Sequence, residues 1–329
     1  MRKIEKVKIK AFIHHDGALG DLFLSLPCIR VIRKNSDFVH LVGPPDVAEF
    51  LRGAGYVHET SSAWSTLFTS LYSKEIESAP LGFLEQFDYA VVFTRREDSP
   101  IAANIEKVIP HTEIIITIPP EGVRSHVAQF RLNQLALGGK SEDLESKLTI
   151  PSLYHEKGKE FIARSFGTEG RGTLMVFHPG SGGRKKCWPL ENYFRLVEKL
   201  INRRTCRIIF LTGPAEEPEV ADDVHGFAHR HKRVAHMRNE PLIMVACLLA
   251  ACDLYVGNDS GISHLAAAVS GKAIVLFGPT DPLLWRPLGK GIQVISAGIS
   301  DDALAVVSVD EIYERLTFRL KEAAHEYSL

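Results

Sequence analysis

Four short stretches hold residue types that can do chemistry together. The most distinctive is "GNDSGISH", residues 257–264, which follows the apolar run Leu254–Val256. Asp259 or Ser260 would cap the helix that starts there, and Gly261 lets its first turn come close to a ligand. His264 lies one turn in, on the same face as Ser260. A capped helix with a satisfied core histidine is the plain reading. The N–H groups that a cap leaves over also suit an anion, so the stretch reads equally as a diphosphate seat. A second stretch, "HPGSGGRKKCWPLENY" (178–193), puts Ser181, three glycines and the cations Arg184, Lys185 and Lys186 between a strand and a helix. It is either a solvated basic loop or a cradle for a phosphate-bearing ligand.

In the third, "LTGPAEEPEV" (211–220), Gly213 and Pro214 turn the chain and Glu216 and Glu217 open a helix. They complement the helix dipole, or one of them accepts hydrogen bonds from a ribose diol. The fourth, "HHDGALGD" (14–21), has Gly17 and Gly20 around a tight turn and Asp21 behind them. Asp21 is a first-turn acid that complements the dipole, or a base at a strand end facing a ligand. "GPTDP" (278–282) ends the strand after "GNDSGISH" and would lie beside it. No DxD motif occurs, so side-chain cations and helix ends would have to neutralise a diphosphate without a metal.

These loops need rigid elements to hold them. Strand-like runs at 7–15, 38–43, 56–60, 89–94 and 113–118 alternate with helical runs at 21–34, 46–53, 63–77, 98–108 and 123–137. After a Gly-, Pro- and charge-rich break over 138–172, the rhythm restarts. Strands are expected at 174–178, 206–213, 254–257 and 272–278, and helices at 190–203, 216–230, 241–252, 261–270 and 309–324. This alternation predicts α/β architecture with parallel sheets, in two Rossmann-like domains with a ligand cleft between them.

The 329 residues fit two domains, and 45% hydrophobic content gives each a core. Thirty-nine Lys and Arg against 40 Asp and Glu give a net charge of −1, which argues against nucleic-acid binding through a global basic field. The five cysteines form no CxxC pair and no zinc spacing, which fits free thiols in a reducing compartment. The charged opening "MRKIEKVKIK" lacks the apolar core of a signal peptide, and no apolar run is long enough to span a bilayer. A cytoplasmic location is expected, with peripheral contact at the cytoplasmic face of an inner membrane.

Together, "GALGDLFLSLPCIRVIRK" (17–34), "HPGSGGRKKCWPLENY" (178–193), "LTGPAEE" (211–217) and "GNDSGISHLAAA…GPTDP" (257–282) resemble the ADP-heptose:lipopolysaccharide heptosyltransferases, glycosyltransferase family 9. The resemblance covers nearly the whole chain in order. It implies a GT-B fold: an acceptor-binding domain over 1–155, a nucleotide-sugar-binding domain over 156–308, and a C-terminal helix over 309–329 that packs back on the first domain. By the same resemblance Asp21 is the catalytic base and Lys186 holds the donor phosphate. Glu217 binds the ribose, Asp259 contacts the transferred sugar, and Ser181, Gly213, Ser260, Gly261, His264 and Thr280 complete the donor site, with Asp281 in the loop behind. Gly17, Gly20 and Arg124 are the candidate acceptor contacts. Cys187 departs from the family, standing where Arg or His is common.

The implied activity is inverting, metal-independent transfer of heptose from ADP-heptose to a lipopolysaccharide inner-core acceptor, with no cofactor beyond the nucleotide-sugar co-substrate. Its partners are that donor and a glycolipid acceptor. The alternatives are a GT-B transferase for another nucleotide-sugar or acceptor, a nucleotide-sugar epimerase of similar fold, and a non-catalytic nucleotide-sugar-binding homologue.

Overall fold

The computed structural model describes residues 8–73, 77–138, 144, 147–167, 172–298 and 300–326. Parts of the expected 138–172 linker therefore lie outside the described residues. The chain divides after residue 146 into two compact units, ahead of the expected boundary at 155.

The first unit opens with β1 (Lys10–His15), whose last five residues are all buried. Continuous burial is what a central strand of a parallel sheet requires, with both faces covered. There follow α1 (Leu19–Asn35), β2 (Phe38–Gly43), α2 (Pro45–Gly53), β3 (Glu59–Ser62) and the single-turn α3 (Thr66–Thr69), which runs into a 3₁₀ turn over Ser70–Tyr72. Then come α4 (Ser78–Leu84), β4 (Tyr89–Thr94), α5 (Pro100–Val108), β5 (Thr112–Ile116) and α6 (Val127–Gln134). The strands pair in parallel in the order β3-β2-β1-β4-β5. Phe12, Val42, Phe68, Val92 and Ile105 share one core cluster under this sheet. The direction of winding reverses between β1 and β4, so loops leaving their carboxyl ends flank a topological switch point. "HHDGALGD" leaves one of them.

The second unit contains α7 (Ser152–Phe166), β6 (Thr173–His178), α8 (Leu190–Arg203), β7 (Cys206–Thr212), α9 (Pro218–Arg230), β8 (Val234–Arg238) and α10 (Leu242–Ala251). It continues through β9 (Leu254–Asn258), α11 (Gly261–Val269), β10 (Ala273–Phe277), the short α12 (Pro282–Trp285), β11 (Ile292–Ser296) and α13 (Val309–Glu326). All pairings are parallel, in the order β11-β10-β9-β6-β7-β8. Here the switch point falls between β6 and β9. "HPGSGG" leaves the first of these strands and "DSGIS" the second. The helix expected to return to the first domain, α13, buries Ile312 and Leu316 in this unit's own core beside Trp188 and Leu196 of the α8 region. Among the described residues no helix is long and apolar enough to cross a membrane.

Candidate active site

The site in the second unit is organised around Asn258, the last residue of β9, which is fully buried. Its side-chain oxygen accepts from the Trp188 N–H at 3.1 Å and the Tyr193 hydroxyl at 3.0 Å. Its side-chain nitrogen donates to the Pro179 carbonyl at 2.7 Å and the Gly180 carbonyl at 3.4 Å. One amide thus fastens the β6 loop, the start of α8 and β9 together. Trp188 is locked from its other end as well, its indole N–H donating 3.0 Å to the Val307 carbonyl.

The next residue, Asp259, is the centre of a charged cluster. Its Oδ2 accepts from Lys186 Nζ at 2.8 Å and from the Thr280 hydroxyl at 2.6 Å. The carboxylate is 8% exposed and the lysine side chain 35%, so the cation stands on the solvent side of the pair. Ser181 donates 2.6 Å to the Asp259 carbonyl, tying the β6 loop to the same point. Ser260 caps α11 by accepting the Ser263 N–H at 3.3 Å. Gly261 is the first residue of the helix, and His264 is buried one turn in. Asp281 caps α12, taking the Leu283 N–H at 2.9 Å.

Beside this cluster a cleft of about 370 Å³ is bounded by Gly180–Arg184, Cys187–Leu190 and Ala215–Glu217. Glu216 turns inward, with Oε1 3.4 Å from His178 Nε2 and Oε2 accepting the Gly213 N–H. Burial pushes its pKa up, but the hydrogen bond with His178, that ring's charge and the Gly213 N–H outweigh it, so the net shift is downward. A Cβ on Gly180 would stand 1.8 Å from Glu216 Oε1, so any larger residue there would push Glu216 out of this position. His178 also lies 3.4 Å from the Ser260 hydroxyl, so Glu216, His178 and the cap of α11 form a line. Glu217, the expected ribose ligand, is 52% exposed and 3.5 Å from Arg184. Lys185 pairs outward with Asp301. The Cys187 thiol is pushed up to about 11, first by burial and then by the Glu216 charge, so it stays protonated.

In the first unit, Asp21 sits in the first turn of α1 and is 24% exposed. Its Oδ1 accepts from Arg131 at 2.9 Å. Arg131 is fully buried. Its guanidinium donates to the Thr117 carbonyl at 3.0 and 2.8 Å, to the Asp21 carbonyl at 2.5 Å and to the Ser25 hydroxyl at 2.8 Å. Burial pulls the Arg131 pKa down, and the Asp21 hydrogen bond and charge oppose that. Every donor direction of the fork is used, a geometry that lysine lacks. His15 Nε2 lies 3.0 Å from Ser25 Oγ, and burial, then the Arg131 and His14 charges, hold its pKa down at about 3. The Gly17 N–H donates 3.2 Å to His15 Nδ1. A Cβ on Gly17 would meet Asp21 Cβ at 2.9 Å, so the tight turn needs glycine there. Next to it, Tyr72 bridges His14 (3.1 Å) and Asp16 (3.2 Å).

The structure thus brings Ser181, Lys186, Asp259, Ser260, Gly261 and Thr280 together beyond the carboxyl ends of β6, β9 and β10, with Gly213 bonded to Glu216 of the adjoining cleft. Gly20 lies in the first turn of α1 beside Asp21. Arg124 is exposed in the loop between β5 and α6. Sequence reasoning did not reach Arg131, Asn258 or His178. Their signal was a buried polar residue inside an apolar pattern, which does not reveal its partner. Among the described residues no group of three His, Cys, Asp or Glu side chains is placed to hold a metal ion.

Two all-parallel, doubly wound units with glycine-rich loops at their switch points define a GT-B-type α/β protein. The chain belongs to glycosyltransferase family 9, the heptosyltransferases, whose model matches residues 124–310. It is 32% identical over 161 residues to lipopolysaccharide heptosyltransferase 2 of Salmonella typhimurium, covering 47% of this chain and 45% of that protein. It is 31% identical over 161 residues to lipopolysaccharide heptosyltransferase 1 of Escherichia coli, covering 48% and 49%. The match therefore spans slightly under half the length of these curated relatives. The solved structure of E. coli ADP-heptose LPS heptosyltransferase II superposes with a TM-score of 0.77 at 18% identity, over 96% of this chain and 100% of that one. At that identity the likeness concerns the fold.

Proposed function

We propose that the protein transfers a heptose from ADP-heptose to a lipopolysaccharide inner-core acceptor, with inversion at the anomeric carbon and without a metal ion. The observation that carries this reading is the meeting of Lys186, Asp259 and Thr280 at the start of α11, in a chain of this family. A helix N-terminus offers unsatisfied N–H groups and a favourable dipole to a phosphate, and an ammonium adds a mobile positive charge. Asp259 takes the sugar hydroxyls, and the cleft beside Glu216 and Glu217 takes the nucleoside.

Asp21 acts as the general base. It removes the proton from the acceptor hydroxyl as the new O–C1 bond forms. The bond from C1 to the β-phosphate oxygen breaks, and its electron pair stays on the departing ADP. Lys186 and the α11 N–H groups stabilise the charge that builds there, which makes an acidic metal unnecessary. Arg131 fixes the Asp21 carboxylate through Oδ1 without touching substrate. The acceptor is a glycolipid, which places the protein in the cytoplasm, in peripheral contact with the inner membrane. The test is an assay of ADP released from ADP-heptose against a panel of truncated lipid A–Kdo acceptors. Release that depends on the acceptor supports the reading, and release in its absence favours an epimerase or a hydrolase.

A further inference from the structure

Asp259 is an unusual neighbour for a diphosphate. It carries a negative charge, is 8% exposed, and directly precedes the Ser260 cap of α11. An isolated buried carboxylate beside a phosphate would repel it strongly. The structure supplies two groups that offset this. Lys186 Nζ and the Thr280 hydroxyl both end on Oδ2, at 2.8 and 2.6 Å, which leaves Oδ1 to accept from a ligand hydroxyl.

We propose that the Lys186–Asp259–Thr280 cluster discriminates between the intact nucleotide-sugar and the spent nucleoside diphosphate, with Asp259 as the group that rejects the product. The inference rests on the donor-site reading given above. The intact donor brings sugar hydroxyls, which are hydrogen-bond donors for the carboxylate. Its β-phosphate is esterified and cannot take on a second charge. Once the sugar has left, those donors are gone. The terminal phosphate then ionises again, with a second pKa near 6, so the product carries one more negative charge at neutral pH. Lys186 has to serve both anions. With the sugar bound, Asp259 is satisfied from Oδ1 and Lys186 can turn toward the diphosphate. With only the product bound, no sugar hydroxyl satisfies Asp259, which keeps its claim on the lysine, so the more highly charged product draws less on Lys186 and still meets the carboxylate's field. Lys186 stands on the solvent side of the pair, so an arriving phosphate reaches the cation before the carboxylate. Such a site holds its substrate and sheds its product without a separate release device.

The experiment is calorimetric titration of wild-type protein, Asp259→Asn, Lys186→Gln and the double variant with ADP and, separately, with ADP-heptose in the absence of acceptor. Asp259→Asn keeps shape and hydrogen-bonding capacity while removing the charge. It should bind ADP at least ~10-fold more tightly than wild type and ADP-heptose no more tightly. Lys186→Gln should weaken ADP binding in the wild-type background and weaken it by clearly less when Asp259 is already Asn, because half of the lysine's task has gone. Thr280→Val tests the same cluster with no charge change and should shift the ADP to ADP-heptose preference less than Asp259→Asn. Unchanged or weaker ADP binding by Asp259→Asn, or equal effects of Lys186→Gln in both backgrounds, overturns the discrimination role alone. Failure of wild-type protein to bind either ligand overturns the donor-site reading and this inference with it. Melting curves on every variant show whether a change in affinity merely follows a loss of fold.

Discussion

At the residue scale the two halves of the chemistry are built differently. Lys186 and Asp259 are each other's counter-ions, whereas Asp21 is oriented by a guanidinium 110 residues away in sequence. Asp21→Asn keeps the shape and removes the proton acceptor. It is expected to lower kcat by about 10²-fold or more while donor affinity, which the proposed site in the second unit would set, stays near wild type. Steady-state kinetics with calorimetry on ADP-heptose check this, and near-normal turnover would remove Asp21 from the mechanism. Arg131→Lys keeps the charge and loses the fork to Thr117, Ser25 and Asp21. Turnover should fall at least ~10-fold with the donor KM held, since only the base is misplaced. A proportional rise in donor KM would mean that Arg131 serves something other than Asp21. Neither Arg131 nor its task was legible in the sequence. It sits in a run, 123–137, read only as helical, and a contact across 110 residues is decided by sheet topology. By contrast, Lys186, Asp259 and Thr280 were singled out from their motifs and do converge. The two acids of "AEE" show the limit of spacing: a shift of one residue decides which turns inward, and Glu216 does so while Glu217, at the N-cap position of α9 with no side-chain capping bond, faces Arg184.

At the scale of elements, the buried central strands were the legible part. β2 and β4 have the expected bounds, as does α8. Their runs are nearly all apolar or strongly 3.6-periodic. β8, β11 and α4 were not foreseen. The first two are edge strands whose burial is partial and broken, "VAHMR" and "IQVIS", and α4 is a seven-residue helix interrupted by Pro80 and Gly82. Packing on a sheet that already exists fixes such elements, not their own propensity. The Asn258 clasp belongs to this scale because it joins three elements. Asn258→Ala would strand the Trp188 N–H and the Tyr193 hydroxyl in the core, at a cost of about 2–4 kcal/mol in denaturant-derived stability. A loss below ~1 kcal/mol would show that the loops hold without it. The end of β1 also makes the first unit sensitive to acid. His15 has a folded pKa of about 3 against 6.5 unfolded, and burial lowers His14 as well. The folded form binds fewer protons than the unfolded chain in that window. This stability is therefore complete above pH 6.5 and is lost as the pH falls, by about 2 kcal/mol for His15 alone between pH 6.5 and 5. Denaturation at pH 7 and pH 5 should show that loss, and His15→Gln should flatten it.

At the scale of the whole molecule, two doubly wound units each present a switch-point loop with one carboxylate to which the proposed mechanism gives a role, Asp21 in the first and Asp259 in the second. Lysine and helix ends supply the positive charge in the second unit, so turnover should persist in excess EDTA. Full loss, with rescue by Mg²⁺ or Mn²⁺, would contradict a metal-free site. The central claim is that this chain moves a sugar, with Asp21 taking the acceptor's proton. It is tested most directly by following ADP release from ADP-heptose, with and without a lipid A–Kdo acceptor, for wild-type protein and Asp21→Asn side by side. Release by wild type is expected only when acceptor is present, falling about 10²-fold or more in the variant. Release that ignores the acceptor, or that survives in Asp21→Asn, would contradict it.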